Sequence, residues 1–291
     1  MTITLLDGGM GQELVARSSE PAHPLWSAMV MHKEPQLVLD VHTEYFSAGA
    51  EIATTNSYIL NRDRLTQGGA EELFEPLNIK ACELASRARD RHGSGLIAGS
   101  MGPTGKSYRP DLAMELEQGA EAYSEIARVQ APFVDFFLLE TMASVKQAEG
   151  AVMGAASEGK PIWLSVTVND ENGQLLRSGE PIKEILELTQ RYPIEALLVN
   201  CSVPEAIVSA VNELSASLVP FGAYANGFTK ISDAFKELGT TVDELSARQD
   251  LNPEKYAEFA QHWVDSGATL IGGCCEVGPA HIQTLHQTFK A

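Results

Sequence analysis

Two cysteines stand side by side in the stretch GATLIGGCCEVGP, Cys274 and Cys275, in a chain that has only four. They are poor partners for one another, because an unstrained disulfide wants Cα atoms about 4.4–6.8 Å apart and chain neighbours lie roughly 3.8 Å apart. A third, Cys201, ends the apolar run ALLVNC, 73 positions earlier. Three thiolates brought to one point make an open Zn²⁺ site, in which three protein ligands leave the fourth tetrahedral position for water or substrate. The spacing lacks the CxxC of structural zinc sites, and free cysteine is among the most buried residue types, so a packing role competes with the metal reading. Cys82, inside NIKACELASRARD, reads as the core residue of a helix.

Two carboxylates also close apolar runs: Asp7 in LLDGGMGQEL and Glu140 in VDFFLLE. With Gly8 and Gly9, whose exposed amides can bind a carboxylate, they suit a zwitterionic amino acid, whose ammonium needs carboxylates and whose carboxylate needs donors. The competing readings are a tight turn for the glycines, a helix cap for Glu140, and a general acid–base pair for the two acids. The glycines do not complete the GxGxxG of dinucleotide folds. No lysine ends an apolar run, which sets aside Schiff-base chemistry. The histidines show no HExxH or HxH spacing, and His42, His262 and His281 read as structural.

These residues need a scaffold that collects strand ends at one place. Eight short apolar or β-branched runs recur, at 3–6, 51–56, 95–100, 134–140, 161–168, 196–201, 218–225 and 268–274. Several are near-continuous rather than alternating, as expected of parallel strands buried on both faces. Helix-like stretches lie between them. In EPQLVLDVHTEYFSAGA, Leu37, Leu39, Val41, Tyr45 and Phe46 leave an apolar stripe and Gly49 a stop. NPEKYAEFAQHWVDSGA opens on Asn-Pro and closes on Gly. Eight such units predict an α/β chain folded as a (β/α)₈ barrel, one domain over 1–291. Chemistry in this fold gathers at the carboxyl ends of the strands, where the sequence offers Asp7, Asn56, Ser100, Glu140, Thr167, Asn200 with Cys201, Asn226, and Cys274 with Cys275. The irregular stretches 57–69, 101–111 and 226–250 follow strand ends and read as site loops.

Bulk composition narrows the partners. The net charge of −18 repels phosphate backbones and anionic membrane surfaces, which excludes nucleic acid and favours a cationic small molecule. No apolar run reaches the roughly 18 residues of a membrane span, and the N-terminal run lacks a signal peptide's basic flank, so the expectation is a cytoplasmic protein with reduced thiols. The sequence sets no oligomeric state.

The motifs LLDGGMGQEL, HPLWSAMVM, TTNSY, AGSMGP, LLETM, VNCS and IGGCCEVGPAHI, in that order, resemble the homocysteine S-methyltransferase family over nearly the whole chain. The resemblance implies a barrel holding one Zn²⁺ on Cys201, Cys274 and Cys275. It implies a homocysteine pocket at Asp7, Gly8, Gly9 and Glu140, with Asn200 beside it, and makes Tyr58 a tyrosine that can occupy the open metal position. The implied reaction is methyl transfer from a cationic donor to homocysteine, giving methionine. Thr141 stands where betaine-using members carry a tyrosine, and HPLWSAMVM resembles the branch using S-methylmethionine or S-adenosylmethionine. Trp26 and Tyr108 could face the donor's cation. The chain departs from the family at Glu276, usually an arginine, and at Ala225-Asn226, usually proline-asparagine. Another small thiol or selenol as acceptor, betaine as donor, and a zinc-binding or redox-sensing protein without turnover remain as alternatives.

Overall fold

A computed structural model describes residues 2–20, 23–237 and 239–290. Eight strands form one parallel sheet: β1 Thr4–Leu5, β2 Ile52–Thr54, β3 Leu96–Met101, β4 Phe136–Met142, β5 Ile162–Val166, β6 Ile194–Asn200, β7 Phe221–Tyr224 and β8 Leu270–Ile271. Their order is β1-β8-β7-β6-β5-β4-β3-β2. Thr4 and Leu5 pair with Leu270 and Ile271, and a parallel bridge from Leu6 to Ile52 joins the other edge, closing the ring into the expected (β/α)₈ barrel. Each strand overlaps an apolar run expected to hold one, although β3 and β4 run on to Met101 and Met142 and β6 begins at Ile194, beyond the expected bounds.

Around the ring lie α1 Met10–Arg17, α2 Trp26–Lys33, α3 Pro35–Ser47, α4 Arg62–Gln67, α5 Phe74–His92 and α6 Leu116–Gln130. They continue with α7 Val145–Ala155, α8 Ile185–Arg191, α9 Pro204–Leu214, α10 Pro253–Asp265 and α11 Pro279–Phe289. The caps follow the sequence: Asn252 accepts from Lys255 N (2.8 Å) with Pro253 at the first helical position, and Gly49 takes φ +107° just past α3. α3 buries Val38, Leu39, Val41, His42, Tyr45 and Phe46, so its stripe is one position wider than expected, and Leu37 lies at its edge. The stretch 57–69 is not wholly irregular. It holds α4, which buries only Leu65 and so leaves no apolar periodicity to read. Among the described residues no helix is long and apolar enough to cross a membrane.

Side-chain alternation along the strands divides the core in two. One apolar layer lies between sheet and helices, and a smaller one, including Leu6, Ile52, Ala98, Phe136, Leu138, Ala196, Leu198 and Leu270, fills the barrel. Two residues further along each strand the same inward parity gives Thr54, Ser100, Glu140 and Asn200. The apolar filling of the barrel thus changes to a polar layer at its carboxyl end, where the site lies.

Candidate active site

The sulfurs of Cys201, Cys274 and Cys275 lie within 4.8 Å of one another, although they come from the ends of β6 and β8. Tetrahedral zinc ligands with bonds of about 2.3 Å have sulfurs roughly 3.8 Å apart, so the cluster fits that ion in number, softness and spacing. The expectation of reduced thiols is corrected in one respect: Cys201 and Cys274 are joined as a disulfide, with Cα atoms 5.7 Å apart. The adjacent pair is unbridged, as chain geometry requires. It is convergence of two strand ends that brings a cross-barrel pair within bonding distance, and both sulfurs must be reduced before they can ligate. Cys275 is free, and burial pushes its thiol up to about 12, with the charges of Glu276 and Glu140 adding to the effect. A cation beside it would offset that cost.

The cysteines border a cavity of about 580 Å³ that also exposes Asp7, Gly8, Gly9, Tyr58 and Glu140. Asp7 is buried at the end of β1 and accepts from Thr54 N and Thr54 Oγ1, both at 2.7 Å. Glu140 accepts from Ser100 Oγ, and from the Tyr224 hydroxyl at 3.2 Å. Burial pushes each carboxyl up to about 7, against the opposing pull of these hydrogen bonds, and the charge of Glu140 raises Asp7 further. Two buried acids sharing a cavity wall form a site that gains from an incoming cation. Of the supporting residues, Ser100 was among the expected strand ends, while Thr54 and Tyr224 escaped the sequence reading; the signal was their inward parity with the barrel's apolar residues.

Gly9 has a different part from the one expected, and Gly8, which lines the cavity, has a packing part as well. The Gly9 amide is spent on Val277 O (2.9 Å), leaving it unable to bind a carboxylate. What the chain uses is the missing side chains. A Cβ on Gly8 would lie 2.1 Å from Val277 O, and one on Gly9 2.5 Å from Cys274 O. The glycines let the loop bearing two of the sulfurs settle against the end of β1.

Asn200 also differs from the expected substrate contact. It is fully buried behind the cavity wall, where its Oδ1 accepts from Thr141 N and Ser165 Oγ and its Nδ2 donates to Thr141 Oγ1, all at 2.8 Å. This holds Thr141 at φ +63°, directly after Glu140. Trp26, Tyr108, Cys201 and Glu276 are the other non-glycine residues with positive φ among those described. All five line the cavity or adjoin a residue that does, so unfavourable backbone is concentrated at this rim and held by its surroundings.

Aromatic rings form the outer wall. Tyr58 turns its hydroxyl to Ser107 Oγ (2.8 Å) and meets Trp26 edge-on, ring centroids 6.3 Å apart. Trp26 Nε1 donates to Gln12 Oε1 (3.1 Å), and Gln12 Nε2 donates on to Glu276. Tyr108 lies under the Arg177 guanidinium, 4.8 Å from its ring centre; Arg177 pairs with Asp170 and donates to Cys201 O (3.3 Å). Gln12, Arg177 and Asp170 had no signal in the sequence, since they act through loops whose approach no periodicity announces. Asn226 is buried beside Ser202 and does not line the cavity.

Fold and site together define a (β/α)₈ barrel with a cluster of three cysteine sulfurs, spaced as metal ligands are, at the carboxyl end of its strands. The family model described as Homocysteine S-methyltransferase matches residues 4–289, and the chain belongs to that family. It is 32% identical to the homocysteine S-methyltransferase of Escherichia coli (strain K12), over 97% of this chain and 94% of that one. Crystal structures of the homocysteine methyltransferase MmuM from Escherichia coli, in metallated and oxidized forms, each superpose with a TM-score of 0.82 at 28% identity. These alignments cover 99% and 98% of this chain, and 96% of MmuM in both cases.

Proposed function

We propose that the chain transfers a methyl group from a sulfonium donor, S-methylmethionine or S-adenosylmethionine, to the sulfur of homocysteine, with Zn²⁺ held by Cys201, Cys274 and Cys275. The observation that carries this reading is the meeting, in one cavity, of three sulfurs suited to zinc and two buried carboxylates suited to an ammonium. Bound there, zinc lowers the pKa of a substrate thiol and so supplies a sulfur nucleophile at neutral pH. Asp7 and Glu140 take the amino group of homocysteine, and its charge draws both acids into their ionised form. Trp26, Tyr58 and Tyr108 offer ring faces to the positively charged donor. In the transfer, the acceptor sulfur forms a bond to the methyl carbon as the bond to the donor sulfur breaks. The bonding pair stays with the donor, which leaves as a neutral thioether. Thr141, in place of a tyrosine, and the HPLWSAMVM stretch favour a sulfonium over betaine.

The test is methionine formation by the purified, reduced, zinc-loaded protein given homocysteine with S-methylmethionine, S-adenosylmethionine or betaine in parallel. A sulfonium is expected to be preferred, and Cys274→Ala to abolish turnover. Tight zinc binding without turnover on any donor would refute the reading. That outcome would favour a thiol-based sensor, the second reading, for which the Cys201–Cys274 disulfide speaks.

A further inference from the structure

The acids and bases facing the cavity are sorted to different parts of its wall. Asp7 and Glu140 lie where the strands end. Arg64 on α4 and Lys106 in the loop after β3 also face the cavity. In a chain with 39 acidic and 21 basic residues, neither is paired with a carboxylate among the described residues. Arg64 lies over the Tyr58 ring (5.7 Å to its centre) and gives one hydrogen bond, Nη2 to Ser107 Oγ at 3.0 Å, while its buried Nε has no acceptor. A guanidinium has five N–H donors, so most of this one's capacity is unused. Lys106 Nζ reaches Thr240 Oγ1 (2.6 Å) and Glu237 O and lies over Phe235. Burial lowers the Lys106 pKa, and the charge of Arg64 lowers it further, a cost that an arriving anion would remove.

We infer that Arg64, assisted by Lys106, receives the carboxylate of the methyl donor, which makes the donor an amino acid and Arg64 a determinant of its selection. The inference rests on the methyltransferase reading and gives it an orientation. The acceptor's sulfur goes to the cysteines and its ammonium to Asp7 and Glu140, and its carboxylate, borne on the same carbon as that ammonium, is held at the strand ends, where the Gly8 N–H donates to no backbone group among the described residues. Near the cysteines, Glu276 is engaged by Gln12 and Arg177, which donates to Cys201 O, is already paired with Asp170, so that side offers no unpaired cation to a carboxylate. Tyr58 and Trp26 touch each other, and Arg64 covers Tyr58. A donor whose sulfonium faces these rings therefore has its carboxylate, a few bonds further along, within the reach of Arg64. Planar guanidinium and carboxylate match in two parallel hydrogen bonds, which a neutral amide does not reproduce.

The experiment uses the full chain, reduced and zinc-loaded, with S-methylmethionine and its α-carboxamide as donors. Arg64→Met is expected to raise the KM for S-methylmethionine about tenfold or more, the effect of losing a hydrogen bond between charged groups. The KM values for the carboxamide donor and for homocysteine should stay within about twofold. Arg64→Lys should recover part of the loss, and Lys106→Met should show a smaller rise in the same pattern. An equal rise for both donors would assign Arg64 to packing against Tyr58 and overturn the inference; so would a rise confined to homocysteine, which would give the cations to the acceptor. If the wild-type protein turned over neither donor, the functional reading would fail by itself, and calorimetry with methionine and methioninamide would judge the cation site. Weakening by Arg64→Met for methionine alone supports it, and equal weakening for both overturns it.

Discussion

Replacing Gly9 with alanine tests whether the loop that carries Cys274 and Cys275 depends on a missing side chain. Gly9 has φ −71° and ψ 70°, so alanine meets no left-handed backbone there and the effect is one of contact alone. The new methyl group would lie 2.5 Å from Cys274 O and 3.1 Å from the Cys275 Cα. Ordinary contact begins near 3.4 Å, so the loop has to retreat by roughly 0.9 Å. Metal–ligand distances tolerate only about 0.2 Å, several times less than that. Zinc affinity should fall about tenfold to a hundredfold, the range seen when the support of a ligand is disturbed. Overpacking should cost about 1–3 kcal/mol of stability. The assay is competition for zinc between the reduced protein and a chromophoric chelator, alongside urea denaturation. Gly119→Ala is the control: its Cβ meets nothing within 4 Å in α6, and the change should stabilise by about 0.5–1 kcal/mol. Wild-type zinc affinity in Gly9→Ala would refute the reasoning.

Asn200→Ala should cost about 2–4 kcal/mol in chemical denaturation, because it strips Thr141 N and Ser165 Oγ of their buried acceptor; a loss under about 0.5 kcal/mol would show that Thr141 is held by other means. Asp7 and Glu140 hold protons more tightly when folded, at about 7, than in the unfolded chain, where the ordinary values are 3.8 and 4.5. Their contribution to stability is therefore complete below about pH 4 and is lost as the pH rises through 7, so Asp7→Asn with Glu140→Gln should flatten that fall in a melting series. Homocysteine binding, followed by calorimetry, should strengthen over the same interval as both acids ionise, and pH-independent affinity would count against the ammonium site. His42 behaves in the opposite sense: buried without hydrogen-bond partners and pushed down to about 3, it stabilises above the ordinary 6.5 and loses that contribution as the pH falls toward 3. His42→Leu should abolish an acid sensitivity of about 2 kcal/mol between pH 6.5 and 5, and an unchanged pH slope would contradict this.

The barrel was legible because parallel strands covered on both faces read as apolar runs, and each of eight runs yielded a strand. The chemistry at the strand ends followed from that, since position along a strand survives into space when the topology is regular. Roles were harder than places. Gly8 and Gly9 were visible as glycines, but a sequence does not say whether a glycine is needed for its N–H or for its missing Cβ, and at Gly9, whose N–H is spent on Val277 O, it is the Cβ. Asn200 lies next to Cys201 and shares the inward parity, yet its amide is taken up by Thr141 and Ser165 and buried behind the cavity wall. Arg64 was lost from view because α4 buries a single residue, leaving a site loop with no pattern to mark the helix that carries it. The disulfide was missed because compartment chemistry argued for free thiols, while proximity alone decides which sulfurs are able to meet.

The distance along the chain between Cys201 and Cys274 also sets a timetable for the newly made protein. At about 5–20 residues per second, ribosomal synthesis takes roughly 4–15 s to cover the 73 residues that separate them. During that interval β1 to β6 exist without β8, the strand that pairs with both β1 and β7, and the sheet keeps two open edges. Cys201 then has neither partner sulfur nor the other ligands of its cluster. Because β8 and the loop that follows it complete the ring and the sulfur cluster in turn, a chain stalled before residue 270 is an unfinished barrel and an unfinished cluster together. The earliest moment at which all three sulfurs can meet is the moment of closure.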